Sequence, residues 1–349
     1  MITIQENVLL APLTTLQVGG PARYFVDATC ERDVYEAVEF ARTKALPLFV
    51  LGGGSNLVVA DSGWPGVVLK ISICGMGMGT GALAGKFHAG AGVSWDQLVA
   101  EAVANDCAGI ECLSGIPGTV GGTPVQNVGA YGQEVSDTIE SVSAFDSRKN
   151  HAVDLPKQAC GFRYRSSIFN TTERGRYIIL SVTYRLSRGG APSLKYADLQ
   201  KHFAGSSSSP TLMQVRDAVL QIRRSKGMLI VPGDTDSRSA GSFFKNPMLS
   251  QEQFVELTAR AQSQGLTIPS YPALDAQHKI SAAWLVEHSS FTRGFTLGAA
   301  GISRKHALAL INNGNARAAD ILQLKEAIQD GVRKAWGILL EPEPVFLGF

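Results

Sequence analysis

Two glycine-rich segments near the start of the chain constrain its fold more than any other feature of the sequence. The first, residues 51–58 (LGGGSNLV), directly follows a predicted buried strand over residues 46–51 (LPLFVL). Three consecutive glycines let the backbone approach a ligand closely and turn its N–H groups toward one point, as in an anion-binding nest. Ser55 and Asn56 add side-chain donors. By itself this loop fits a ligand site and an ordinary glycine-rich turn equally well.

The second segment, residues 114–131 (SGIPGTVGGTPVQNVGAY), is long and has no hydrophobic period. A structureless stretch of this length inside a compact domain is usually functional. The hydroxyl and amide groups of Thr119, Thr123, Gln126 and Asn127 suit a polyhydroxylated ligand. Two such loops in one α/β unit favour a cradle for a large cofactor over two accidental turns.

Composition narrows the class of protein. A chain of 349 residues predicts two or three domains, and 45% hydrophobic with 18% charged residues is a globular composition. Because the formal net charge is only +2, the chain lacks the basic surplus of a protein that binds nucleic acid without sequence preference. We expect no nucleic-acid partner.

The cysteines and histidines argue against disulfides and metals. The five cysteines are an odd number without a CxxC pair, which is typical of a reducing compartment. None of the six histidines forms an i, i+3 or i, i+4 pair, so we predict no metal. The N-terminus is a poor signal peptide, and no apolar run approaches the roughly 20 residues that span a bilayer. We expect a cytoplasmic protein with no membrane partner.

Hydrophobic periodicity predicts the coarse organisation. The small polar stretch 204–210 (AGSSSSP) is the best linker candidate, and an NTT sequon at Asn170 is expected to be a chance match. A GxGxxA match at residues 77–82 is interpreted as a hairpin loop, and the chain ends in an apolar strand containing LEPEPVF.

Capping boxes are predicted from Ser94 to Gln97 and from Thr211 to Gln214. The pattern predicts strands over 46–51, 66–73, 139–145 and 177–186, and helices over 31–45, 94–107, from 210 onward, 250–264, 279–288, 304–312 and 317–336.

Five ordered segments carry a resemblance to a known family. LGGGSNLV, IPGTVGGTPVQNVGAYGQEV, YRSSIF, GSFFKNP and LEPEPVF closely resemble, in order and spacing, the UDP-N-acetylenolpyruvoylglucosamine reductase (MurB) family, and TTLQVGGPARYF is similar to the family's start. The resemblance implies an α+β fold: an FAD-binding fold of the p-cresol methylhydroxylase or vanillyl-alcohol oxidase (PCMH/VAO) type with two subdomains, plus a separate α/β substrate-binding C-terminal domain. The implied boundaries are 1–72, to which a strand in 338–349 returns, then 73–209, then 210–337.

The resemblance also implies the activity. The family uses FAD and NADPH to reduce the enolpyruvyl group of UDP-N-acetylglucosamine enolpyruvate, giving UDP-N-acetylmuramate for peptidoglycan and hence for cell-wall biogenesis and division. NADPH and the substrate take turns in one site, with hydride added at C3 and a proton at C2. A monomer is expected. Two alternatives stay open: a flavin oxidase with another substrate on the same scaffold, and a flavin- or nucleotide-binding module that has lost catalysis.

Three residues match the family's catalytic positions. Arg165 would clamp the substrate carboxylate, Ser242 would donate the proton to C2, and Glu343 would pair with the developing enol, which requires it to hold or share a proton. Without the resemblance they would be interpreted as a surface ion pair, a turn cap and a solvated residue.

The remaining site residues are also implied by similarity. The substrate-binding set is Tyr196, Lys226, Asn246, Tyr271 and Arg293, the last two closing over the diphosphate in the longer family type with a tyrosine loop. Lys226 could instead complement a helix dipole, and Tyr271 could be turn packing. Residues 227–240 are longer and more acidic than the usual family form. The FAD contacts are Gly52, Gly53, Gly54, Ser55, Asn56, Leu57, Ile116, Pro117, Gly118, Thr119, Gly122, Gln126, Asn127, Gly129, Ala130 and Ile179.

Overall fold

The structure, a computed structural model, describes residues 2–205, 208–272 and 277–349. Two serines of the predicted linker, at 206 and 207, therefore lie outside the described residues. The α-helices found in these ranges are α1 (Glu31–Thr43), α2 (Trp95–Ala104), α3 (Ala197–His202), α4 (Leu212–Ser225), α5 (Gln251–Gln262), α6 (Ala282–Glu287) and α7 (Ala318–Trp336).

The strands are short, and most belong to small sheets. In chain order they are β1 (Gln5–Leu9), β2 (Pro21–Ala28), β3 (Leu48–Leu51), β4 (Leu57–Val59), β5 (Trp64–Ile71), β6 (Met76–Met78), β7 (Lys86–Gly90), β8 (Cys107–Ala108), β9 (Gly129–Ala130), β10 (Gln133–Glu134), β11 (Ile139–Asp146), β12 (His151–Pro156), β13 (Tyr177–Arg185), β14 (Ser187–Arg188), β15 (Met248–Leu249), β16 (Ser270–Pro272), β17 (His278–Ile280), β18 (Thr296–Leu297), β19 (Ala300–Ile302), β20 (Leu310–Asn312) and β21 (Val345–Leu347).

The first of two compact units contains the larger sheets. It comprises the residues up to Val8, Ala22–Gly54 and Trp64–Leu229. One sheet has the order β1-β2-β5-β3, with β5 parallel to both β2 and β3. The other is antiparallel, with the order β12-β11-β13-β7-β6. Helix α1 turns its buried stripe of small and branched apolar residues to this unit's core, as its period of 3.6 predicts.

The second unit comprises Leu9–Pro21, Ser55–Gly63 and Ile230–Phe349. Helix α7 buries one apolar stripe, and its N-terminus is capped by the Asp61 carboxylate, which accepts from the N–H groups of Ala318 and Ala319 at 2.9 and 3.1 Å. The terminal strand β21 pairs in parallel with β4, so the chain end returns to a segment within the first 72 residues. The compact units divide the chain after Leu229, and the functional boundaries at 72/73 and 209/210 stay predictions.

Two local predictions are wrong. Residues 304–312 form a turn and strand β20, which pairs antiparallel with β19. The apolar run before Asn312 is buried, and periodicity alone cannot separate a buried strand from a short helix. Ser94 precedes α2 but makes no capping hydrogen bond; its backbone pairs with Thr119 instead, and Gly118 O accepts from Trp95 N at 3.1 Å.

Other local predictions are confirmed or corrected slightly. Gln214 N donates to Thr211 Oγ1 at 3.2 Å and Thr211 N donates to Gln214 Oε1 at 2.8 Å, so the second capping box is present. The helix predicted over 279–288 begins only at Ala282, because β17 occupies the residues before it. The GxGxxA segment lies in the hairpin between β6 and β7. Within the described ranges, no helix is both long enough and apolar enough to cross a membrane.

Candidate functional site

The two glycine-rich loops meet in the first unit. A Cβ atom added to Gly53 would lie 2.5 Å from Gly118 Cα, and one added to Gly52 would lie 3.1 Å from Thr119 Oγ1. Side chains at Gly53 would therefore force the two backbones apart. The two loops, which the sequence predicted to form a cradle for a large cofactor, are in direct contact through their backbones.

Thr119 supplies the clearest sign that the loops form a ligand site. Its Oγ1 is buried and has no hydrogen-bond partner among the described residues. Leaving a buried hydroxyl unpaired costs about 1–3 kcal/mol, so such groups usually have a partner that the protein alone does not show. The position of this hydroxyl beside Gly52 fits a polar ligand held along both loops.

Thr123 has an internal role. Its Oγ1 donates to Val120 O at 2.8 Å and lies 2.9 Å from the buried Tyr184 hydroxyl. Burial raises the pKa of that phenol, which stays neutral. These bonds tie the second loop to β13, on which the predicted flavin neighbour Ile179 is also buried. Thr123 thus positions the loop.

Asn127 is also engaged by the protein. It is 1% exposed, with Nδ2 donating to Glu134 Oε2 at 2.7 Å and to Arg163 O at 3.1 Å. Its Oδ1 accepts from Ser136 N at 3.1 Å. All of these bonds use side-chain atoms that the sequence assigned to FAD, so the amide holds neighbouring chain segments together.

Arg165 lies in a tight turn of the same unit. Arg163 and Ser166 pair across the turn, and Arg165 has a φ of 52°, which a residue with a side chain rarely adopts. The guanidinium carbon is 5.6 Å from the centroid of the Tyr164 ring. Backbone strain of this kind is concentrated at functional sites, and it makes Arg165 a good candidate on structural grounds as well.

Tyr196 and Lys226 come together in the first unit. The Tyr196 ring meets that of Tyr131 edge-on, with centroids 5.2 Å apart, and Lys226 Nζ is 6.0 Å from the Tyr131 centroid. Lys226 Nζ also forms an ion pair with Asp198 at 2.5 Å. Burial is the largest single influence and lowers the pKa of Lys226, but the hydrogen bond to Asp198 and the charge interactions with Tyr131 and Asp198 together outweigh it, so the pKa is raised. Lys226 therefore stays charged at the C-cap of helix α4, where the helix dipole also favours a cation.

Ser242 and Glu343 lie on adjoining segments of the second unit. Glu343 N donates to Phe243 O at 2.8 Å, and Phe244 pairs with Pro342 in an antiparallel bridge. Asn56 Nδ2 donates to Glu343 O at 3.3 Å. The Ser242 side chain is half-buried, and its hydroxyl makes no hydrogen bond to a described residue.

Thr15 is a residue that the sequence prediction missed. Its Oγ1 donates to Ser239 O at 2.6 Å and lies 3.5 Å from Ser55 O, so it connects the Ser55 segment to the residues shortly before Ser242. The segment TTLQVGGPARYF could have given this signal, but a threonine in it looks like any turn residue. The acidic segment before Ser239 is also anchored: Asp234 pairs with Lys305 at 2.5 Å.

Asn246, Tyr271 and Arg293 lie on separate elements of the second unit. Asn246 Oδ1 accepts from Ala282 N at 2.9 Å and thereby supports the start of α6. Tyr271 is 51% exposed on β16, with Lys279 Nζ 6.0 Å from its ring centroid. Arg293 pairs with Glu287 at 3.1 Å and has 57% of its side chain exposed. Residues 273–276, which follow β16, lie outside the described residues.

Among residues 2–205, 208–272 and 277–349, no group of three histidine, cysteine, aspartate or glutamate residues is arranged to bind a metal ion.

Two family models match this chain. The model described as "FAD binding domain" matches residues 22–152, which include both glycine-rich loops. The model described as "UDP-N-acetylenolpyruvoylglucosamine reductase, C-terminal domain" matches residues 233–347, which include Ser242 and Glu343.

Known proteins are similar over nearly their whole lengths. The UDP-N-acetylenolpyruvoylglucosamine reductase of Thermobifida fusca is 43% identical, with 98% of this chain and 98% of the relative covered. That of Streptomyces avermitilis is also 43% identical, covering 100% of this chain and 96% of the relative. The crystal structure of UDP-N-acetylenolpyruvylglucosamine reductase (MurB) from Thermus caldophilus superposes with a TM-score of 0.70 at 26% identity, over 99% of this chain and 100% of that one.

These matches confirm an α+β chain with an FAD-binding domain and a separate C-terminal domain, and the PCMH/VAO type of the FAD-binding fold stays a prediction. The match to an FAD binding domain includes both glycine-rich loops, so FAD is the ligand to compare with their geometry. Two features of the loops fit FAD: the buried hydroxyl of Thr119, and the close backbone contact between Gly53 and Gly118. The pyrophosphate and ribityl chain of FAD offer many acceptors to N–H and O–H donors.

Proposed function

Because the chain belongs to the UDP-N-acetylenolpyruvoylglucosamine reductase family and is an FAD-dependent oxidoreductase, we propose that it reduces UDP-N-acetylglucosamine enolpyruvate to UDP-N-acetylmuramate with NADPH. The observation that carries this proposal is the adjoining placement of Ser242 and Glu343, two residues that the reaction requires together. The proposed setting is the cytoplasmic stage of peptidoglycan precursor synthesis. NADPH and the substrate would use one site in turn, and the enzyme would act as a monomer.

The reaction adds hydrogen across the enolpyruvyl double bond. FAD held by the two glycine-rich loops would supply hydride-transfer chemistry, with NADPH as the hydride source and C3 of the enolpyruvyl group as the acceptor. Negative charge then develops at C2 and spreads into the neighbouring carboxylate. Arg165 would hold that carboxylate, because a planar guanidinium can donate two parallel hydrogen bonds and neutralise the charge. Glu343, holding a proton, would donate to the developing enol.

Ser242 would complete the reaction by protonating C2. A serine hydroxyl is a weak acid, so it needs a neighbouring group that stabilises the charge it leaves and returns its proton. Its hydroxyl makes no hydrogen bond to a described residue, which leaves it available to a substrate. The segment that contains Glu343 pairs with the residue after Ser242. The Glu343 carboxyl group would therefore be the group that returns a proton to the Ser242 hydroxyl.

The cofactor would be held mainly by backbone groups. Residues 52–57 would contact the FAD pyrophosphate, while residues 116–119, Gly122, Gln126 and the 129–130 pair would follow the ribityl chain and flavin. Thr119 Oγ1 would donate to the cofactor directly. Asn127 would support this loop from behind, because both of its amide atoms already bond to protein.

The nucleotide part of the substrate would meet five side chains. Lys226 and Arg293 would bind the diphosphate. To do so, Lys226 would share or leave its ion pair with Asp198, and Arg293 would share or leave its ion pair with Glu287. Asn246 would contribute its Nδ2, which donates to no described residue. Tyr196 and Tyr271 would cover the nucleotide with exposed aromatic faces.

The Ser242→Ala variant tests the catalytic assignment. We expect it to bind FAD and to be reduced by NADPH, while reoxidation by the enolpyruvyl substrate slows by roughly 10²–10⁴-fold, the usual contribution of a general acid. Ser263→Ala, at an exposed helix end, is the matched control and should turn over normally. Wild-type reoxidation in Ser242→Ala would show that another group donates the proton.

A further inference from the structure

The strained turn at Arg165 must be held by its surroundings. A φ of 52° places the Arg165 backbone in the left-handed region, where a Cβ crowds the following carbonyl. Such a conformation persists only when neighbouring contacts over-determine it. The direction of the Cα–Cβ bond, and with it the position of the guanidinium, depends on that backbone conformation.

Asn170 holds the carbonyl group of this residue. Its Nδ2 donates to Arg165 O at 3.2 Å, while its Oδ1 accepts from Ser167 N at 2.9 Å. One amide therefore bonds to the backbone on both sides of Ser166. We propose that Asn170 is a positioning residue that keeps Arg165 in the conformation needed to bind a carboxylate; this inference rests on the proposed role of Arg165.

The turn is also fixed to the second glycine-rich loop. Ser167 Oγ donates to Val125 O at 2.6 Å, and Asn127 Nδ2 donates to Arg163 O at 3.1 Å. These two bonds anchor the ends of the turn, and Asn170 braces its middle. These bonds fix the position of Arg165 relative to the second glycine-rich loop, which fits FAD. A side chain that binds a substrate carboxylate beside a cofactor needs such a fixed position.

The bond from Asn170 restrains the peptide group that follows Arg165. When that bond is lost, the backbone can relax toward negative φ, which rotates the arginine side chain away. Because catalysis depends steeply on geometry, a displacement of about 1 Å can cost roughly 100-fold in rate. The NTT sequence at Asn170, which resembles a glycosylation sequon, is thus explained by a hydrogen-bonding role.

The Asn170→Asp variant tests the proposal, because it removes the side-chain N–H group that donates to Arg165 O and keeps an oxygen that accepts from Ser167 N. In Asn170→Asp, one carboxylate oxygen can still accept from Ser167 N, but the other faces Arg165 O without a proton. We expect the KM for UDP-N-acetylglucosamine enolpyruvate to rise about 10-fold or more and kcat to fall, while FAD content and flavin reduction by NADPH stay within about 2-fold. Asn170→Ser, too short to reach Arg165 O, is the second variant should the aspartate prevent folding.

Thr171→Val is the matched control. It removes the neighbouring bond from Thr171 Oγ1 to Ser167 O, at 2.5 Å, without touching Arg165. We expect this variant to keep substrate KM and kcat within about 2-fold of wild type, since the brace on Arg165 stays in place. A loss in Thr171→Val equal to that in Asn170→Asp would mean that the loop needs general stability only, and would overturn the proposal.

A double-mutant cycle separates this inference from the proposed function. If Asn170 acts through Arg165, Asn170→Asp should cause no further loss in an Arg165→Ala background. Equal loss in both backgrounds, or a normal Asn170→Asp enzyme beside an impaired Arg165→Ala enzyme, overturns the role of Asn170 and leaves that of Arg165 intact. Normal turnover of Arg165→Ala would overturn the role of Arg165 and this inference with it.

Discussion

The backbone N–H of Glu343 donates to the carbonyl oxygen of Phe243 at 2.8 Å, which sets Ser242 one residue from a direct contact with the Glu343 segment. The Phe243 and Phe244 side chains are fully buried in the core of the second unit. The register of both proposed catalytic residues is therefore fixed by core packing, although each lies in a segment without a long regular strand.

Gly53→Ala tests the contact between the two glycine-rich loops. The new methyl group would lie 2.5 Å from Gly118 Cα, so the loops must separate. Overpacking of this kind typically costs about 1–3 kcal/mol, and here we expect it to appear chiefly as weaker FAD binding, by about 10-fold or more. FAD titration of the apoprotein measures the effect.

Gly77→Ala serves as the control, because a Cβ atom added there would meet nothing within 4 Å beyond its adjoining residues. It should retain wild-type FAD affinity. Equal affinities in both variants would show that the loop contact is not part of the cofactor site.

Asp146→Asn tests a buried ion pair and its pH dependence. Asp146 is 1% exposed and pairs with Arg176 at 2.7 Å, and hydrogen bonds from this arginine lower the pKa of the carboxyl to about 2. Because the folded pKa lies below the unfolded value, the stabilisation is complete above about pH 4 and is lost as the pH falls toward 2. We expect Asp146→Asn to lower the free energy of unfolding by about 2 kcal/mol at pH 7.

Urea unfolding at pH 7 and pH 3 checks this, and the difference between Asp146→Asn and wild type should shrink at pH 3. Asp27→Asn, which breaks the exposed pair with Lys70, should change stability by less than about 1 kcal/mol. A pH-independent cost of Asp146→Asn would contradict the linkage.

Thiol labelling tests the burial of the cysteines. Cys30 and Cys74 are exposed, whereas Cys107, Cys112 and Cys160 are buried. Burial raises the pKa of Cys112 to about 12 and that of Cys160 to about 11, which removes the reactive thiolate at neutral pH. A disulfide-exchange reagent should label two thiols quickly in the folded protein and five in denaturant. Rapid labelling of a third thiol or more would show that the core opens.

Arg293→Ala tests the proposed diphosphate contact. Arg293 forms an exposed ion pair with Glu287, which is worth little to stability. If Arg293 binds the diphosphate, Arg293→Ala should raise the substrate KM roughly 10-fold, because a charge-assisted hydrogen bond is lost. Glu287→Gln removes the pair but keeps the cation, and should leave KM unchanged or lower it. Parallel increases in both variants would assign Arg293 a structural role.

Local sequence patterns predicted the helices whose buried face or first turn is determined by residues close together in the sequence. Helix α1 follows from its apolar stripe, and α4 begins directly after its N-cap Thr211, whose capping box with Gln214 forms two reciprocal hydrogen bonds. The same rule failed at Ser94, where long-range pairing with Thr119 competes with the local cap. The buried strand β20 was missed for a different reason, because periodicity alone cannot distinguish a short buried strand from a helical segment.

The sequence predicted which residues belong to the candidate site. It predicted only in part what each side chain contacts there. The resemblance supplied Arg165, Ser242 and Glu343, but no sequence pattern reveals the positive φ at Arg165 or the amide of Asn170 that braces it. The resemblance implied that Asn127 contacts FAD, and its amide suited a polyhydroxylated ligand; the contact itself stays a prediction. The structure uses that amide internally, which depends on the fold around it.

The visible absorption spectrum of the purified protein, recorded before and after anaerobic NADPH and then after the enolpyruvyl substrate, tests the central claim most directly. We predict flavin bands that bleach with NADPH and return when UDP-N-acetylglucosamine enolpyruvate is added without oxygen. Bands that bleach but return only with oxygen would contradict the proposed reaction and indicate a flavin oxidase on the same scaffold. A colourless protein that FAD cannot reconstitute would contradict the cofactor assignment itself.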